Sequence, residues 1–317
     1  MMSRFQSCLR TLMLCLATAP AWAGGEHTSS PDGPLTALTR LSSAASLAQA
    51  QSRRLGLDIR VQQWLTPEGL RVLYWPNDQV PLLDARLIFD AGAARDEELP
   101  GLASAVASLM DEGTEQLTAQ QVGERFEQVG AEFSAASYRD MALLQLRTLS
   151  QPVYRDQALD MLAEVAAHPA FEAAAWQRLQ ESLRIGQRQR QQSPSGRAGL
   201  QFFQQLYGSH PYANPPAGLT SSIERITPAG LKAFHARYYT VRNAVLVLVG
   251  DIDRETAEHI ASTFSQRLPA GDAAPALPVP EPLKRARRQH IDRGSHARHG
   301  RCHRAADPIC AQPAEQR

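Results

Sequence analysis

The segment from Gly101 to Thr114 (GLASAVASLMDEGT) spaces its polar residues as a metal-binding helix does. Ser104 and Ser108 are four residues apart, so they lie on one helical face, with Ala107 beside them. Side chains four residues apart on a helix can converge on one ion, as two imidazoles do on Zn²⁺. Serine is a poor zinc ligand and alanine has no basic group, so these three residues by themselves supply neither a metal ligand set nor a general base.

The same serines would supply a different chemistry if one of them acted as a nucleophile. A catalytic serine needs a base within hydrogen-bond reach that is itself oriented by a third group. No histidine falls on this helix, so we interpret Ser104 and Ser108 as small residues of a helix face. Asp111 and Glu112 are interpreted as solvated carboxylates at the helix end rather than as a catalytic pair.

The segment resembles the zinc-binding helix of the M16 (pitrilysin/insulinase) peptidases, whose pattern is G-L-A-H-x-x-E-H-x-x-x-x-G-T. The frame of that pattern is present at residues 101–103 and 113–114. Ser104 and Ser108 stand at the two histidine positions, and Ala107 stands at the glutamate position. The resemblance therefore implies a degenerate, non-catalytic M16 chain in which the general base and the first two ligands are replaced.

The third zinc ligand of that family is a glutamate on a later helix. Aligning the later helix on residues 176–194 places Ile185 or Gly186 at the ligand position. Neither residue has a side chain that binds a metal. The resemblance thus implies no zinc and no other cofactor in this chain, with zinc expected only in a catalytic partner.

The resemblance covers about residues 55–290, well beyond one motif. The further matching pieces, in chain order, are residues 90–92, 95–96, 130–131, 140, 207–212, 218, 238–239 and 243–251. No single piece is specific, whereas their order and spacing together are. The family implies an α+β fold, the M16 metallopeptidase-like domain, in which a mixed β-sheet has helices packed mainly on one face.

Local sequence patterns predict the elements of such a domain. A turn at residues 66–69 joins two strands of a hairpin within 61–75, and apolar alternation predicts a strand over 83–89. The motif helix is expected to begin at Pro100 and to bury an apolar stripe made of Leu102, Val106, Leu109 and Met110. Further helices are predicted at 153–167, 172–191, 197–207, 228–239 and 254–266, and further strands at 133–137, 141–149 and 243–249.

A capping box, Thr118 with Gln121, predicts the start of a helix that ends at Gly130. Strands followed by helix pairs, and then by a strand and a helix, favour a sheet covered by helices over a regular βαβ repeat.

The first 23 residues have the pattern of a secretory signal peptide. Arg4 and Arg10 form its positive region, residues 11–19 its apolar core, and residues 21–23 an A-x-A site with cleavage after Ala23. No later apolar run approaches the ~20 residues of a transmembrane helix. We therefore expect an exported protein without a membrane span, periplasmic if the source is a Gram-negative bacterium.

The remaining chain is divided by its composition. We predict a polar lead-in at 24–54, an M16-like N-terminal domain at 55–268, a Pro/Ala-rich linker with the start of a second half at 269–292, and an Arg/His-rich tail at 293–317. The four cysteines lie at positions 8, 15, 302 and 310, so the predicted domain needs no disulfide. The formal net charge of +1 gives no case for nucleic acid as a partner.

Three interpretations of the tail stay open at this point. His296, His299, Cys302, His303 and Cys310 are metal-ligand types, although they lack a zinc-finger spacing. The arginines could instead form a basic arm for anionic surfaces. The third interpretation, which we favour, is a shift of the reading frame near residue 292, which would make this chain a truncated product without the second domain of the family.

Isolated histidines offer little further chemistry. His210 could contact a peptide or a metal, but its Gly/Pro-rich surroundings favour a structural role in a turn. His168, His235 and His259 are isolated on predicted helices or at their ends and are interpreted as packing or surface residues.

The function implied by the resemblance is that of a non-catalytic subunit of an exported M16-type zinc peptidase complex. Such a subunit pairs with a catalytic chain that keeps H-x-x-E-H, and it helps to enclose and bind peptide substrates. Two alternatives remain. One is an active M16 metalloendopeptidase with an unrecognised site, and the other is a stand-alone exported peptide-binding or scaffold module.

Overall fold

The structure, a computed structural model, describes residues 60–281. The predicted signal peptide, the whole polar lead-in, residues 55–59 of the predicted domain, the start of the second half and the Arg/His-rich tail lie outside these residues. The strands are β1 (Gln62–Leu65), β2 (Arg71–Pro76), β3 (Leu82–Phe89), β4 (Glu132–Ser137), β5 (Ala142–Leu149) and β6 (Ala244–Gly250). The helices are α1 (Leu102–Ala107), α2 (Ala119–Gln128), α3 (Pro152–Ala167), α4 (Ala173–Gln192), α5 (Pro194–Tyr207), α6 (Thr220–Ile223), α7 (Pro228–Tyr238) and α8 (Arg254–Arg267).

The strands form one mixed sheet in the order β1-β2-β6-β3-β5-β4. Only the β2–β6 pair is parallel within the described part of the chain, and its register places Val72 opposite Leu246. The strand formed last in sequence thus lies in the interior of the sheet, between β2 and β3. This arrangement confirms the expected α+β fold, since the hairpin, the antiparallel strands and the late β6 share one sheet.

One face of the sheet carries the core. Alternate residues of β2, β3, β5 and β6 are fully buried, as Tyr74, Leu87, Leu144 and Leu248 illustrate. Helix α3 packs against β5, α8 packs against β2, and α1 packs against β4 and β5. The residues between them, which point to the other face, are only half-buried or exposed. The helices therefore cover the sheet on one side.

The capping box at α2 is present as predicted. The Gln121 N–H donates to the Thr118 hydroxyl at 3.3 Å, and the Thr118 N–H donates to the Gln121 side-chain oxygen at 2.9 Å. These two bonds satisfy donors that the first helical turn leaves without partners. The hairpin lies where the turn at 66–69 predicts it, and β3 covers the strand that apolar alternation predicts over 83–89.

The motif helix is shorter than its apolar stripe predicts. Leu102, Val106, Leu109 and Met110 are all buried, yet the α-helix ends at Ala107. The Leu109 N–H donates to the Val106 carbonyl at 3.1 Å, so the chain tightens to i→i−3 turns beyond the helix. The expectation that one regular helix carries the whole stripe is therefore wrong.

Two other predicted boundaries move because of local hydrogen bonds. Helix α5 begins at Pro194 rather than near 197, since the Ser193 hydroxyl accepts from the Gly196 N–H at 3.3 Å. Asn243 lies before β6, where its side-chain amide donates to the Asp90 and Tyr238 carbonyls at 3.1 and 2.7 Å.

Within residues 60–281 no helix combines the length and apolar character required to cross a bilayer.

Candidate functional site

The start of α1 is fixed by a buried carboxylate. Asp96 accepts hydrogen bonds from the Gly101 N–H and the Ala103 N–H, each at 2.7 Å. Asp96 is 2% exposed, and this burial raises the pKa of its carboxyl to about 7, although both hydrogen bonds act to lower it. Asp96 therefore performs the capping that Gly101, whose φ is +100°, cannot provide through a side chain.

The three degenerate motif residues have different surroundings. Ser104 is half-buried and Ser108 is exposed, and the Ser108 N–H donates to the Ser104 carbonyl at 3.0 Å. The two serines thus keep the one-turn relationship of the motif. Ala107, by contrast, is only 2% exposed. At the position of the general base the chain has a packed methyl group instead of a polar side chain.

Helix α4 is tied to both ends of the α1 region. Near its start, Arg178 donates to Glu112, which follows α1, at 2.7 Å. Near its end, the Gln187 side chain donates to the Ala217 and Gly218 carbonyls at 2.8 and 2.5 Å. Glu112 is therefore an ion-pair partner rather than a purely solvated carboxylate as the sequence suggested.

The loop held by Gln187 reaches the residues that precede α1. The Gly218 backbone meets Gly101 so closely that a Cβ at residue 101 would lie 2.8 Å from the Gly218 Cα. The Ser222 hydroxyl donates to the Pro100 carbonyl at 2.5 Å. Helix α4, this loop and α1 consequently form one connected unit, in which α4 runs opposite to α1.

At the predicted third-ligand position the local charge is opposite to that of a carboxylate. Ile185 is 49% exposed, and Gly186 has no side chain. One turn further along α4, Arg190 folds back so that its guanidinium nitrogens lie 3.6 and 3.7 Å from where a Cβ of Gly186 would stand. A guanidinium binds no metal and repels cations.

The residue types at these positions do not fit a catalytic zinc ion. Ser104, Ser108 and Ile185 offer no imidazole, thiolate or carboxylate, and Ala107 offers no base. Across the described residues, no group of three or more His, Cys, Asp or Glu side chains is placed to hold a metal ion. We derive no catalytic step through zinc for this chain.

The histidines serve the fold. The His210 Nδ1 accepts from the Tyr212 N–H at 3.1 Å, which starts a short 3-10 helix, and Nε2 lies 2.8 Å from the Pro278 carbonyl. His235 is 6% exposed, with its Nε2 2.9 Å from the Ala166 carbonyl. Burial lowers the pKa of His235 to about 4, which keeps the imidazole neutral. His168 and His259 are exposed, as expected of surface residues. His235 packs in the core and His210 holds a turn, as the sequence predicts.

Sequence reasoning missed the residues that organise this region. The sequence places Asp96 in a piece that matches the family, without a role for it, and it marks neither Gln187 nor Arg190. The signal for Asp96 was available, because an acidic residue shortly before a glycine-started helix is a candidate cap. No local pattern marks Gln187 or Arg190. Gln187 donates to a loop that is distant in the sequence, and Arg190 lies over Gly186, which has no side chain.

Two family models match the chain. The model described as "Insulinase (Peptidase family M16)" matches residues 71–215, and the model described as "Peptidase M16 inactive domain" matches residues 225–299. Together they span both the α1 region and the C-terminal part of the sheet.

Known proteins agree with the family models. The solved "peptidase M16 inactive domain" of Pseudomonas fluorescens is 39% identical with a TM-score of 0.69, covering 70% of this chain and 54% of that one. The "Non-peptidase homolog YmxG" of Helicobacter pylori is 26% identical over 64% of this chain and 46% of its own length. The periplasmic protease PqqL of Escherichia coli, at 23% identity, shares the fold with a TM-score of 0.63 over 71% of this chain and 26% of that one.

The chain spans about half the length of the curated relatives it matches, 51% and 46% for two of them. For the first half of PqqL, which has been solved separately, the covered share is 49%. The similarity therefore concerns one structural unit of these larger proteins.

Proposed function

Because the chain belongs to the M16 (pitrilysin/insulinase) peptidase family, we propose that it is a non-catalytic subunit of an exported zinc peptidase complex. In this role it binds a catalytic M16 chain with an intact H-x-x-E-H motif and helps to enclose peptide substrates. The observation that carries the proposal is the state of the α1 region. Its frame, cap and packing are intact, while Ser104, Ala107 and Ser108 replace the chemical groups.

A gene that decays without selection would be expected to show substitutions spread over the whole α1 region. Random loss would damage buried and exposed positions alike, whereas Leu102, Val106 and Met110 still pack in the core and Asp96 still caps the helix. The substitutions concentrate at the positions that zinc chemistry requires. This selectivity supports a chain that is retained for its shape and its binding surfaces.

The uncovered face of the sheet supports an enclosing role. Leu73, Trp75, Val247 and Val249 point away from the helices and are half-buried in the chain by itself. Leu73 pairs with Val247 and Trp75 pairs with Val249 across β2 and β6, so their side chains form one apolar patch. A patch of this kind commonly marks an interaction surface.

Polar groups border this patch. Arg147 forms a two-point ion pair with Asp84, with bonds of 2.8 and 3.0 Å. An apolar centre with a polar rim is the composition of protein–protein interfaces. Among the described strands β4 is at the edge of the sheet, and an extended peptide can add to such an edge.

Export to the periplasm is part of the proposal. It rests on the signal-like pattern of residues 1–23 and on the similarity to a protein that is itself described as periplasmic. A periplasmic location would place the chain beside exported peptides and exported peptidases.

The proposal is tested by purifying the full chain from its native source under mild conditions. We expect an M16 chain with an intact H-x-x-E-H motif to co-purify. Zinc content, measured by mass spectrometry of the separated chains, should be stoichiometric in that partner and negligible in this chain. Peptide cleavage should require the partner and should fall when this chain is removed.

Two outcomes would contradict the proposal. Chelator-sensitive peptide cleavage by this chain alone, with stoichiometric zinc, would show an active enzyme with a different site. Recovery of the chain without any catalytic M16 partner would instead favour a stand-alone binding module.

A further inference from the structure

A cavity of about 220 Å³ lies between α4, α5 and the loop at residues 213–219. Leu200, Phe203 and Leu219 contribute its apolar surface, together with the prolines of the loop. An apolar cavity of about 150 Å³ is enough to bind benzene. The space therefore suits one bulky side chain, aromatic or branched aliphatic, and not a drug-sized ligand.

Among residues 60–281, helix α5 has apolar surface that no other described element covers. None of its residues is buried, although Leu200, Phe203 and Tyr207 repeat at helical spacing. Phe202 is 60% exposed on the same helix. An amphipathic helix normally buries such a stripe, so an apolar group from elsewhere would complete the packing.

The charge around the cavity is one-sided. Between Glu181 and Glu224 the chain contains no acidic residue and four arginines. Arg190 and Arg197 line the cavity, as does Arg139 from the β4–β5 turn, and the lining includes neither Asp nor Glu. The occupant that matches this setting carries an apolar group and negative charge.

The arginines are held in different ways. Arg139 donates to the carbonyls of Tyr212 and Asn214, and its guanidinium lies 4.2 Å from the centre of the Phe203 ring. The neighbouring Asp140 accepts from the Tyr212 hydroxyl, which raises the pKa of that tyrosine to about 12. Arg190 has no ion-pair partner among residues 60–281, so its charge is available to a carboxylate.

We propose that this cavity binds an acidic peptide segment through one bulky apolar side chain, with a flanking carboxylate paired to Arg190. The apolar side chain fills the space over Leu200 and Phe203. The exposed Gln191 amide donates one N–H to the Thr220 hydroxyl at 3.2 Å, and its second N–H can donate to the peptide backbone. The site is complete within one chain. It therefore stands or falls independently of pairing with a catalytic subunit.

The first test is calorimetric titration of the full chain with short blocked peptides. Acetyl-Gly-Glu-Phe-Glu-Gly-amide should bind. A peptide with Ala in place of Phe (the Ala-centred peptide) and a peptide with Lys in place of both Glu residues (the Lys-flanked peptide) should each bind about tenfold more weakly, since each of them lacks one of the two matching features. Raising the salt concentration should weaken the acidic peptide selectively.

The second test fills the cavity without disturbing the fold. A Cβ at Gly199, which lines the cavity, would meet open space, so Gly199→Leu can place its side chain there. Gly123→Leu is the matched control, because Gly123 is also helical with open space around its Cβ and lies on α2 away from the cavity. We expect Gly199→Leu to abolish binding of the acidic peptide and Gly123→Leu to leave it unchanged.

The third test separates a contact from the general charge. Arg190→Gln should reduce the affinity about tenfold, whereas Arg188→Gln, which changes the net charge equally but at a position outside the lining, should change it less than about twofold. Circular dichroism on each variant verifies that the helices are retained.

Three results would overturn the inference. These are equal binding of the acidic and the Lys-flanked peptides, unchanged binding in Gly199→Leu, and preferential binding of decanoate with no measurable peptide binding. The last result would identify the cavity as a site for a lipid chain.

Discussion

The carboxylate of Asp96 accepts a 2.7 Å hydrogen bond from the Ala103 N–H, seven residues further along the chain. This bond holds the first turn of α1 in place, because the residue directly before the helix is a glycine. The contribution of this hydrogen bond can be measured as a change in the free energy of unfolding.

Asp96→Asn should destabilise the fold. The amide can accept only one of the two N–H groups and presents a donor to the other, so the free energy of unfolding should fall by about 1–3 kcal/mol. Urea unfolding at pH 7 measures this difference. Asp253→Asn, at the exposed cap of α8 where the carboxylate accepts from the Thr256 N–H at 2.8 Å, is the control and should lose clearly less. Equal losses would argue against a special role for Asp96.

The pH dependence of stability should reveal Asp96 and His235 as opposing groups. The pKa of Asp96 is raised from 3.8 to about 7 by burial, so its contribution to the free energy of unfolding declines as the pH rises between these values. The pKa of His235 is lowered from 6.5 to about 4, so its contribution increases as the pH rises through that range. Each slope reaches up to about 1.4 kcal/mol per pH unit, and in the wild type the two largely cancel.

Single variants should expose each slope. In His235→Gln the glutamine can still donate to the Ala166 carbonyl, and the free energy of unfolding should decline from pH 4.5 to 6.5. In Asp96→Asn it should increase over the same range. Urea titrations at three pH values provide the comparison, with the exposed His259→Gln as a control that keeps the wild-type profile. Parallel profiles for the two variants would contradict the assignment.

Gly218→Ala should loosen the contact between the loop and α1. A Cβ at this position would lie 2.6 Å from the Pro100 carbonyl oxygen, and its φ is +78°. Gly130→Ala is the matched control, since its φ is +62° but a Cβ would meet open space. The control should lose about 1 kcal/mol of stability from backbone strain alone. Gly218→Ala should lose about 1–3 kcal/mol more through overpacking, and similar losses in urea unfolding would show that the close approach is unimportant.

Restoring ligands should restore metal affinity in part. Ser104→His with Ser108→His places two imidazoles one helical turn apart, and Ile185→Glu adds a carboxylate at an exposed position of α4. We expect the triple variant to bind zinc at least about tenfold more tightly than either single histidine variant, as measured by competition with a chromophoric chelator.

The same triple variant should remain without peptidase activity, because Ala107 supplies no general base. The nearby Arg190 guanidinium should also limit the affinity, so adding Arg190→Ala should raise it further. If the histidine pair gave no gain over single histidines, the serines would not share the geometry of a metal-binding turn.

Much of the fold could be predicted from the sequence because its signals are local. The capping box at Thr118 and the alternating pattern of 83–89 each depend on neighbours within a few residues. The predicted end of α1 is wrong because the apolar pattern reports burial and not the type of helical turn. Leu109 and Met110 continue the apolar stripe, but tighter i→i−3 turns bury them as well as an α-helix would. A pattern of buried positions therefore does not distinguish an α-helix from these tighter turns.

The sequence by itself determined the family and the α+β fold, and it predicts the replacement of the zinc-ligand positions, since these depend on residue identity and order. Only the tertiary structure decided what replaced the missing chemistry. Ala107 is packed away, Arg190 covers Gly186, and Gln187 ties α4 to the loop beside Gly101. These relationships join segments tens of residues apart or depend on a side chain that is absent. They arise from close packing in three dimensions, which no local spacing encodes.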